Sequence, residues 1–414
     1  MEPVAPPRSL RTNFAWTLAG NAVYSVSQWA VLSLAAKMGD SRMLGEYALA
    51  FALALPVGML SHMNLRAVLA TDVERKHPFG DYLAVRIGAT LAGIAATAAV
   101  GIAAGYRGRL ALLIAVTGIT VSVDGLSDIY YALMQRRERM DQVATAMVAR
   151  GILGVAAFGI ALWVTGDLIW SVAALGAGRA AVLLLYERPR GRAGETLRPP
   201  STRKAQFGIL RAALPLGVVL MLISLTTNMP RYAIERHLGL PELGAFAAVA
   251  SFATVGNTVV NALGQSATPR LARLFASRNL AGFRRLAFRL AVLALGLGGA
   301  GVVTALLIGP FVLRVVYRPE YAAHSGLLTA VMAAGSATYV GMALGFVLTG
   351  TRSFGPQMPL LMAVAATCGI SAWLLVPMMG LWGGAVAIAL AGGVQIIGQF
   401  MILRRVLRRA EKSA

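Results

Sequence analysis

Charge is what this sequence has least of. Only 13% of its 414 residues are Asp, Glu, Lys or Arg, about half of the ~25% that keeps an ordinary soluble domain in water. With 57% hydrophobic residues and a mean hydropathy of +0.68, that shortage excludes a water-soluble globular chain and leaves lipid as the solvent for most of the surface. Cys368 is the single cysteine, which excludes an intramolecular disulfide and argues against a thiolate metal site. Lysine is almost absent as well, confined to Lys37, Lys76, Lys204 and Lys412, so the basic charge is arginine. Also missing are the Gly-x-x-x-x-Gly-Lys-Ser/Thr loop of nucleotide-driven machines, an Asp-x-Asp pair, a His-Glu-x-x-His helix and a Gly-x-Ser-x-Gly turn. Together with loops too short for a catalytic domain, these absences point away from an enzyme, a resident metal and a bound cofactor.

What the sequence does have is a series of apolar runs, near 13–36, 43–69, 82–105, 110–134, 142–164, 168–186, 207–229, 243–268, 287–313, 322–349, 355–379 and 381–403. Each reaches, or falls one residue short of, the ~20 residues that cross the hydrocarbon core. They predict an all-α integral membrane protein with about twelve transmembrane helices. The first run is longer than a signal-peptide core and carries Asn21 and Gln28, so it reads as a retained helix. The formal charge of +21 could suit nucleic acid, but it is divided among short segments between the runs, without a basic fold or an aromatic platform. With the N-terminus placed in the cytoplasm, 28 lysines and arginines fall on the segments and helix ends of that side and 8 on the other, while Arg150 and Arg179 lie inside spans. The positive-inside rule then predicts both termini in the cytoplasm.

The chain also repeats itself. GDSRMLGEYA (39–48) follows the first span and GLPELGAFA (239–247) follows the seventh. Six spans per half give the two copies the same orientation, the parallel-repeat arrangement. The expected organisation is an N-terminal six-helix lobe over 1–186, a Pro/Arg-rich cytoplasmic linker over 187–206, a C-terminal six-helix lobe over 207–403 and a basic tail over 404–414, with the two pseudo-symmetric lobes around a central cavity.

Aligning Gly45 with Gly244 sets Gly58, His62 and Arg66 of the second span against Asn257, Asn261 and Gln265 of the eighth. Both sets are spaced i, i+4, i+8, one helix face each. Polar groups facing lipid are costly, so the stripes are expected either to line a hydrophilic substrate cavity or to bond helices together. A second group is ionic: Asp124 and Asp128 on the fourth span, Arg150 on the fifth and Arg179 on the sixth lie at similar depth, so Arg150 could pair with either aspartate. It reads as a structural ion-pair cluster or as a relay for H+ or Na+. The seventh span ends Asn228-Met-Pro230-Arg231-Tyr-Ala-Ile-Glu235. Pro230 is expected to break or kink the helix, and Arg231 and Glu235 to form an i, i+4 pair, either an outer gate or a solvated helix end. Asn21, Tyr24 and Gln28 of the first span are polar candidates of the same kind. The stretch 270–289 reads as an amphipathic helix on anionic headgroups, or simply as positive-inside charge.

The segment NMPRYAIERHLGLPELGAFAAVASFATVGNTVVNALGQSATPRLARLF (228–275) resembles the second-half signature of polysaccharide biosynthesis proteins, and NFAWTLAGNAVYSVSQWAVLSLAAKMGDSRMLGEYALAFAL (13–53) its first-half counterpart. These are the Wzx-type lipid-linked oligosaccharide flippases of the multidrug/oligosaccharidyl-lipid/polysaccharide (MOP) exporter superfamily. The chain departs from the usual pattern in one extra residue between Gly39 and Gly45 and in few basic groups for a cavity. The resemblance implies a bacterial inner-membrane transporter that flips an undecaprenyl-diphosphate-linked oligosaccharide (an O-antigen, capsule or exopolysaccharide unit) to the outer leaflet by alternating access. Polysaccharide polymerase and chain-length machinery would be its partners, beside the lipid-linked glycan and the bilayer. Under that reading Arg66 and nearby Arg270 could grip the diphosphate, and His62, Asn257, Asn261 and Gln265 could bind sugar hydroxyls. A cation-coupled multidrug antiporter of the same superfamily and a non-transporting scaffold of a polysaccharide assembly complex are the alternatives.

Overall fold

In the computed structural model, described for residues 10–72, 76–193, 200–351, 353 and 355–412, those residues form helices and no strand. The first half contributes α1 (Leu10–Met38), α2 (Ser41–His62, resumed over Leu65–Thr71), α3 (Phe79–Ala103), α4 (Gly108–Arg136), α5 (Met140–Thr165) and α6 (Leu168–Val182, extended through a π-turn, Leu183–Glu187, to Arg188–Arg192). The second contributes α7 (Arg203–Leu238), α8 (Leu240–Ala276), α9 (Leu280–Val316), α10 (Ser325–Gly350), α11 (Gln357–Met379) and α12 (Leu381–Lys412). From α2 onward, eleven helices among the described residues are long and apolar enough to cross a membrane. The chain is a multi-pass membrane protein. The 29-residue α1 is long enough too, but its Asn, Thr, Ser and Gln residues lower its hydropathy.

The chain forms two compact units, Met1–Gly39 with Ala50–Ser224, and Asp40–Leu49 with Leu225–Ala414. In the first, α1 packs on α5, α5 on α6, α3 on α4 and α4 on α6; in the second, α9 packs on α10, α11 on α12 and α10 on α12. The pairs α3–α4, α5–α6 and α4–α6 thus recur six helices later, which is the repeat of the sequence written in packing.

The units exchange pieces, so they do not divide at a linker over 187–206. The first half of α7 stays with the first unit, where Ile209 and Ala213 join a core with Met63, Leu65, Leu69, Phe79 and Ile129. Asp81, fully buried at the start of α3, holds the chain just ahead of α7 by accepting from the backbone N–H (2.7 Å) and hydroxyl (2.6 Å) of Ser201. Conversely, the start of α2 belongs to the second unit and crosses the start of α8. At the crossing, a Cβ on Gly45 would collide with the carbonyl oxygen of Leu240, and a Cβ on Gly244 with that of Ser41. Ser41 and Leu240 each stand four residues before the glycine of their own helix, so the contact is reciprocal.

Three expectations change here. The helix α7 runs on through Pro230. Proline has no N–H for the carbonyl four residues back, and the thiol of Cys368 on α11 donates to that carbonyl, Thr226 O, at 3.3 Å. The stretch 270–289 is the end of α8 and the start of α9, not a separate surface helix: Asn279 caps α9 by accepting from Gly282 N–H (2.8 Å), and Phe275 meets Phe283 across the turn. Arg86, grouped in sequence with the cytoplasmic helix ends, is fully buried inside the first unit.

Candidate functional site

The ionic group of the first unit converges on Asp124. Arg150 from α5 and Arg179 from α6, each 3% exposed, both donate to its carboxylate, Arg179 at 3.0 Å. α1 closes the cluster, because Tyr24 and Gln28 are four residues apart on one face. The Tyr24 hydroxyl donates to Asp124 (3.4 Å), its ring lies under both guanidiniums, and Gln28 accepts from Arg179 (3.0 Å). Asn21 faces out and bonds Thr17 O. A second acid lies behind the first: Glu187, turned inward by the π-turn and fully buried, accepts from the Tyr131 hydroxyl at 2.7 Å with Arg150 3.9 Å away. Such π-turns gather at functional sites. Tyr131 links the two acids, since Arg150 also donates to it.

Asp128 lies apart from this group and pairs with Arg66 (3.7 Å), both side chains being about one-third exposed. Arg66 also donates to Gln135 (3.1 Å) and stacks on Tyr131. The expected stripe Gly58–His62–Arg66 is therefore broken. Met63 and Asn64 both adopt φ of 48°, a left-handed conformation that interrupts the helix and turns Arg66 onto α4. Gly58 and His62 stay on α2 and face α4, where a Cβ on Gly125 would lie 2.6 Å from the imidazole. His62 is a packed interior group beside Arg86. Arg86 donates to Ser61 O at 3.4 Å, while its Nε and Nη2 are buried without a described partner.

In the second unit the stripe on α8 divides by exposure. Asn261 and Gln265 are exposed and bond each other (3.2 Å), and Arg270 is exposed one turn further on. Asn257, half-buried, instead lines a partly open cavity between α7, α8, α10, α11 and α12, as do Arg231 and Gln395. Arg231 donates to Asn228 (3.0 Å), which is buried, and Glu235 is half-buried one turn along α7. A separate cavity of about 330 Å³, lined almost wholly by apolar side chains of α8, α9 and α10, shares Tyr339 with it. Among the described residues no three His, Cys, Asp or Glu side chains gather as a metal site.

Residues 79–275, which run from the start of α3 to one residue short of the end of α8, match the family of polysaccharide biosynthesis proteins. The chain resembles a multidrug resistance MATE family transporter of the MOP superfamily in an inward-facing conformation (TM-score 0.77, 13% identity, 94% of this chain and 96% of that one). It also resembles one in an outward-facing conformation (TM-score 0.65, 16% identity, 97% and 96%). A third likeness is to a MOP superfamily transporter from Pyrococcus furiosus, described as having a binding pocket of reverse polarity that suggests a different function (TM-score 0.63, 15% identity, 95% of each). This chain has the MOP-superfamily fold and matches the polysaccharide biosynthesis proteins. No curated protein sequence matches it. The family match takes in 228–275, the second-half signature of the sequence, whereas 13–53 lies outside it.

Within the MOP-superfamily fold, the buried groups that the sequence did not single out are Arg86, Tyr131 and Glu187. An arginine in an apolar run was a visible signal for the first. Glu187 carried none, since it opens a charged linker and only the π-turn brings it inside.

Proposed function

We propose that the protein moves a lipid-linked oligosaccharide across the cytoplasmic membrane, taking an undecaprenyl-diphosphate-linked glycan from the inner to the outer leaflet by alternating access. What carries the reading is the match of 79–275 to polysaccharide biosynthesis proteins, joined to a MOP-superfamily fold over nearly the whole chain. The groups with the chemistry to meet a diphosphate and its sugars are Arg66, Arg270, Asn261 and Gln265, all at least partly exposed. A cation-coupled multidrug antiporter is the second reading, favoured by the multidrug MATE neighbours. Against it, no acidic side chain lines the polar cavity of the second unit, and Asp124 is engaged by two arginines.

Reconstituted vesicles carrying a fluorescent diphospho-lipid oligosaccharide test this directly. The parental protein should raise the outer-leaflet fraction with time. Arg66→Ala and Arg270→Ala, at equal protein content, should each weaken substrate binding about ten- to a hundredfold, the ~1.5–3 kcal/mol of a charged hydrogen bond. Thr258→Val, off the stripe and with its hydroxyl donating to Thr254 O of its own helix, should leave the rate unchanged. Transport of organic cations in place of the lipid would move the antiporter reading ahead.

Orientation is tested separately. In a cysteine-free background, Ser277→Cys, in the turn between α8 and α9, should be shielded from an impermeant thiol reagent in intact cells. Ala104→Cys, in the turn after α3, should react. The opposite pattern would reverse the arginine-based assignment of both termini to the cytoplasm.

A further inference from the structure

Arg86 enters the first unit from α3 and is fully buried there. Its hydrogen bond goes to a neutral acceptor, Ser61 O, at 3.4 Å, and Nε and Nη2 have no partner among the described residues. A guanidinium left so inside a membrane protein is costly. Asp124 does not offset it, because that carboxylate serves Arg150 and Arg179. Asp128 is the acid whose charge reaches Arg86. A Cβ on Gly125 would lie 3.4 Å from Arg86 Nη1, so the guanidinium rests against α4, and Asp128 stands three residues on, on the same helix face.

Asp128 is also loosely held where it is. It meets Arg66 at 3.7 Å, well beyond the ~2.7–2.9 Å of a charged hydrogen bond, and both side chains are about one-third exposed. Water reaches Arg66, which has Gln135 and the Tyr131 ring as further contacts. Two arginines thus flank one carboxylate: one at the surface that water can solvate, and one in the interior that nothing neutralises. We infer that Asp128 is a mobile counter-ion shared by Arg66 and Arg86. It rests on Arg66 in this structure and turns inward to Arg86 when Arg66 is drawn away. The exchange joins the end of α2 to the interior of α3, so an event at the exposed Arg66 is registered as a change of charge inside the first unit. It does not depend on the identity of the cargo.

Thermal unfolding of the full-length protein in detergent tests the exchange by its sign. Were Asp128 a partner of Arg66 alone, Arg66→Gln would already have broken the pair, and Asp128→Asn would then lower the midpoint less than it does in the parental protein. With exchange it lowers the midpoint more, because in Arg66→Gln the carboxylate sits on Arg86. The fall should be several-fold larger in that background, as a buried pair exceeds an exposed one, and should shrink again once Arg86→Met is added. A fall equal to the parental one, or smaller, overturns the inference. A second reading needs no unfolding and is decided by Arg66→Gln alone: modification of Asp128 by a water-soluble carbodiimide and an amine, followed by peptide mass spectrometry. Asp128, about one-third exposed, should be modified in the parental protein and several-fold less in Arg66→Gln, with modification restored when Arg86→Met is added. Modification unchanged or raised in Arg66→Gln would show a carboxylate left to water and not taken up by Arg86, and the shared counter-ion would be refuted.

Discussion

Gly45→Val and Gly244→Val should each reduce folded protein in the membrane to a small fraction of the parental amount. At the crossing of α2 and α8, each glycine faces a carbonyl oxygen of the opposite helix, so the obstacle to a side chain is backbone and not a movable rotamer. Relief requires the two helices to separate, which opens packing on both sides of the contact. Alanine should already be harmful here, although alanine inside a helix is ordinarily better than glycine by up to ~1 kcal/mol. Gly88→Ala gives the comparison, since nothing lies within 4 Å of where its Cβ would sit, and it should leave the amount of folded protein unchanged or slightly raised. The readout is the monodisperse fraction after detergent extraction. Parental amounts of Gly45→Val would show that the helices do not cross at these glycines.

The second large effect belongs to Asp124. Asp124→Leu removes the carboxylate that Arg150 and Arg179, each 3% exposed, share, and leaves Glu187, 3.9 Å from Arg150, as the nearby acid. Breaking a buried pair by removing one partner costs about 3–5 kcal/mol, enough to lower the unfolding midpoint sharply in a detergent thermal-shift measurement. Removing an arginine as well, in Asp124→Leu with Arg179→Met, should recover part of the loss, because fewer uncompensated charges remain. Asp128→Ala should be milder, since its pair with Arg66 is about one-third exposed on both sides and exposed pairs contribute about 0–1 kcal/mol. If the double variant is as unstable as the sum of the single losses, the carboxylate does not serve both arginines.

The membrane class, the helix count and the repeat were legible in the sequence because each rests on a long signal: apolar runs of the right length, and two glycine-bearing segments in equivalent places. Gly45 and Gly244 align the two halves in sequence, and each packs against the other's helix. The ionic group was legible as a set but not in its pairing. Asp124 and Asp128 differ in depth by one turn, about 5.4 Å, and an arginine side chain spans that difference, so depth alone did not decide which aspartate Arg150 meets. The stripe on α2 failed for a local reason. Its periodicity assumed one uninterrupted helix, and two left-handed residues, Met63 and Asn64, end it just before Arg66. Asparagine tolerates that conformation better than most residues, but methionine gives no such warning. The unit boundary was hidden because helices that look continuous in sequence, α2 and α7, each belong to two units.

The bond from Cys368 to the carbonyl four residues before Pro230 bears on how this protein can be probed. Its one native thiol invites use as a label site or removal to make room for others. Yet that sulfur, 1% exposed, satisfies backbone that proline left open, and it lines the cavity that also holds Arg231. A modifying reagent there acts on the helix that carries the arginine, so it is a perturbant before it is a reporter. An alanine background removes the donor outright. A serine background keeps a hydroxyl within reach of Thr226 O, and is the one in which introduced cysteines report on the native helix.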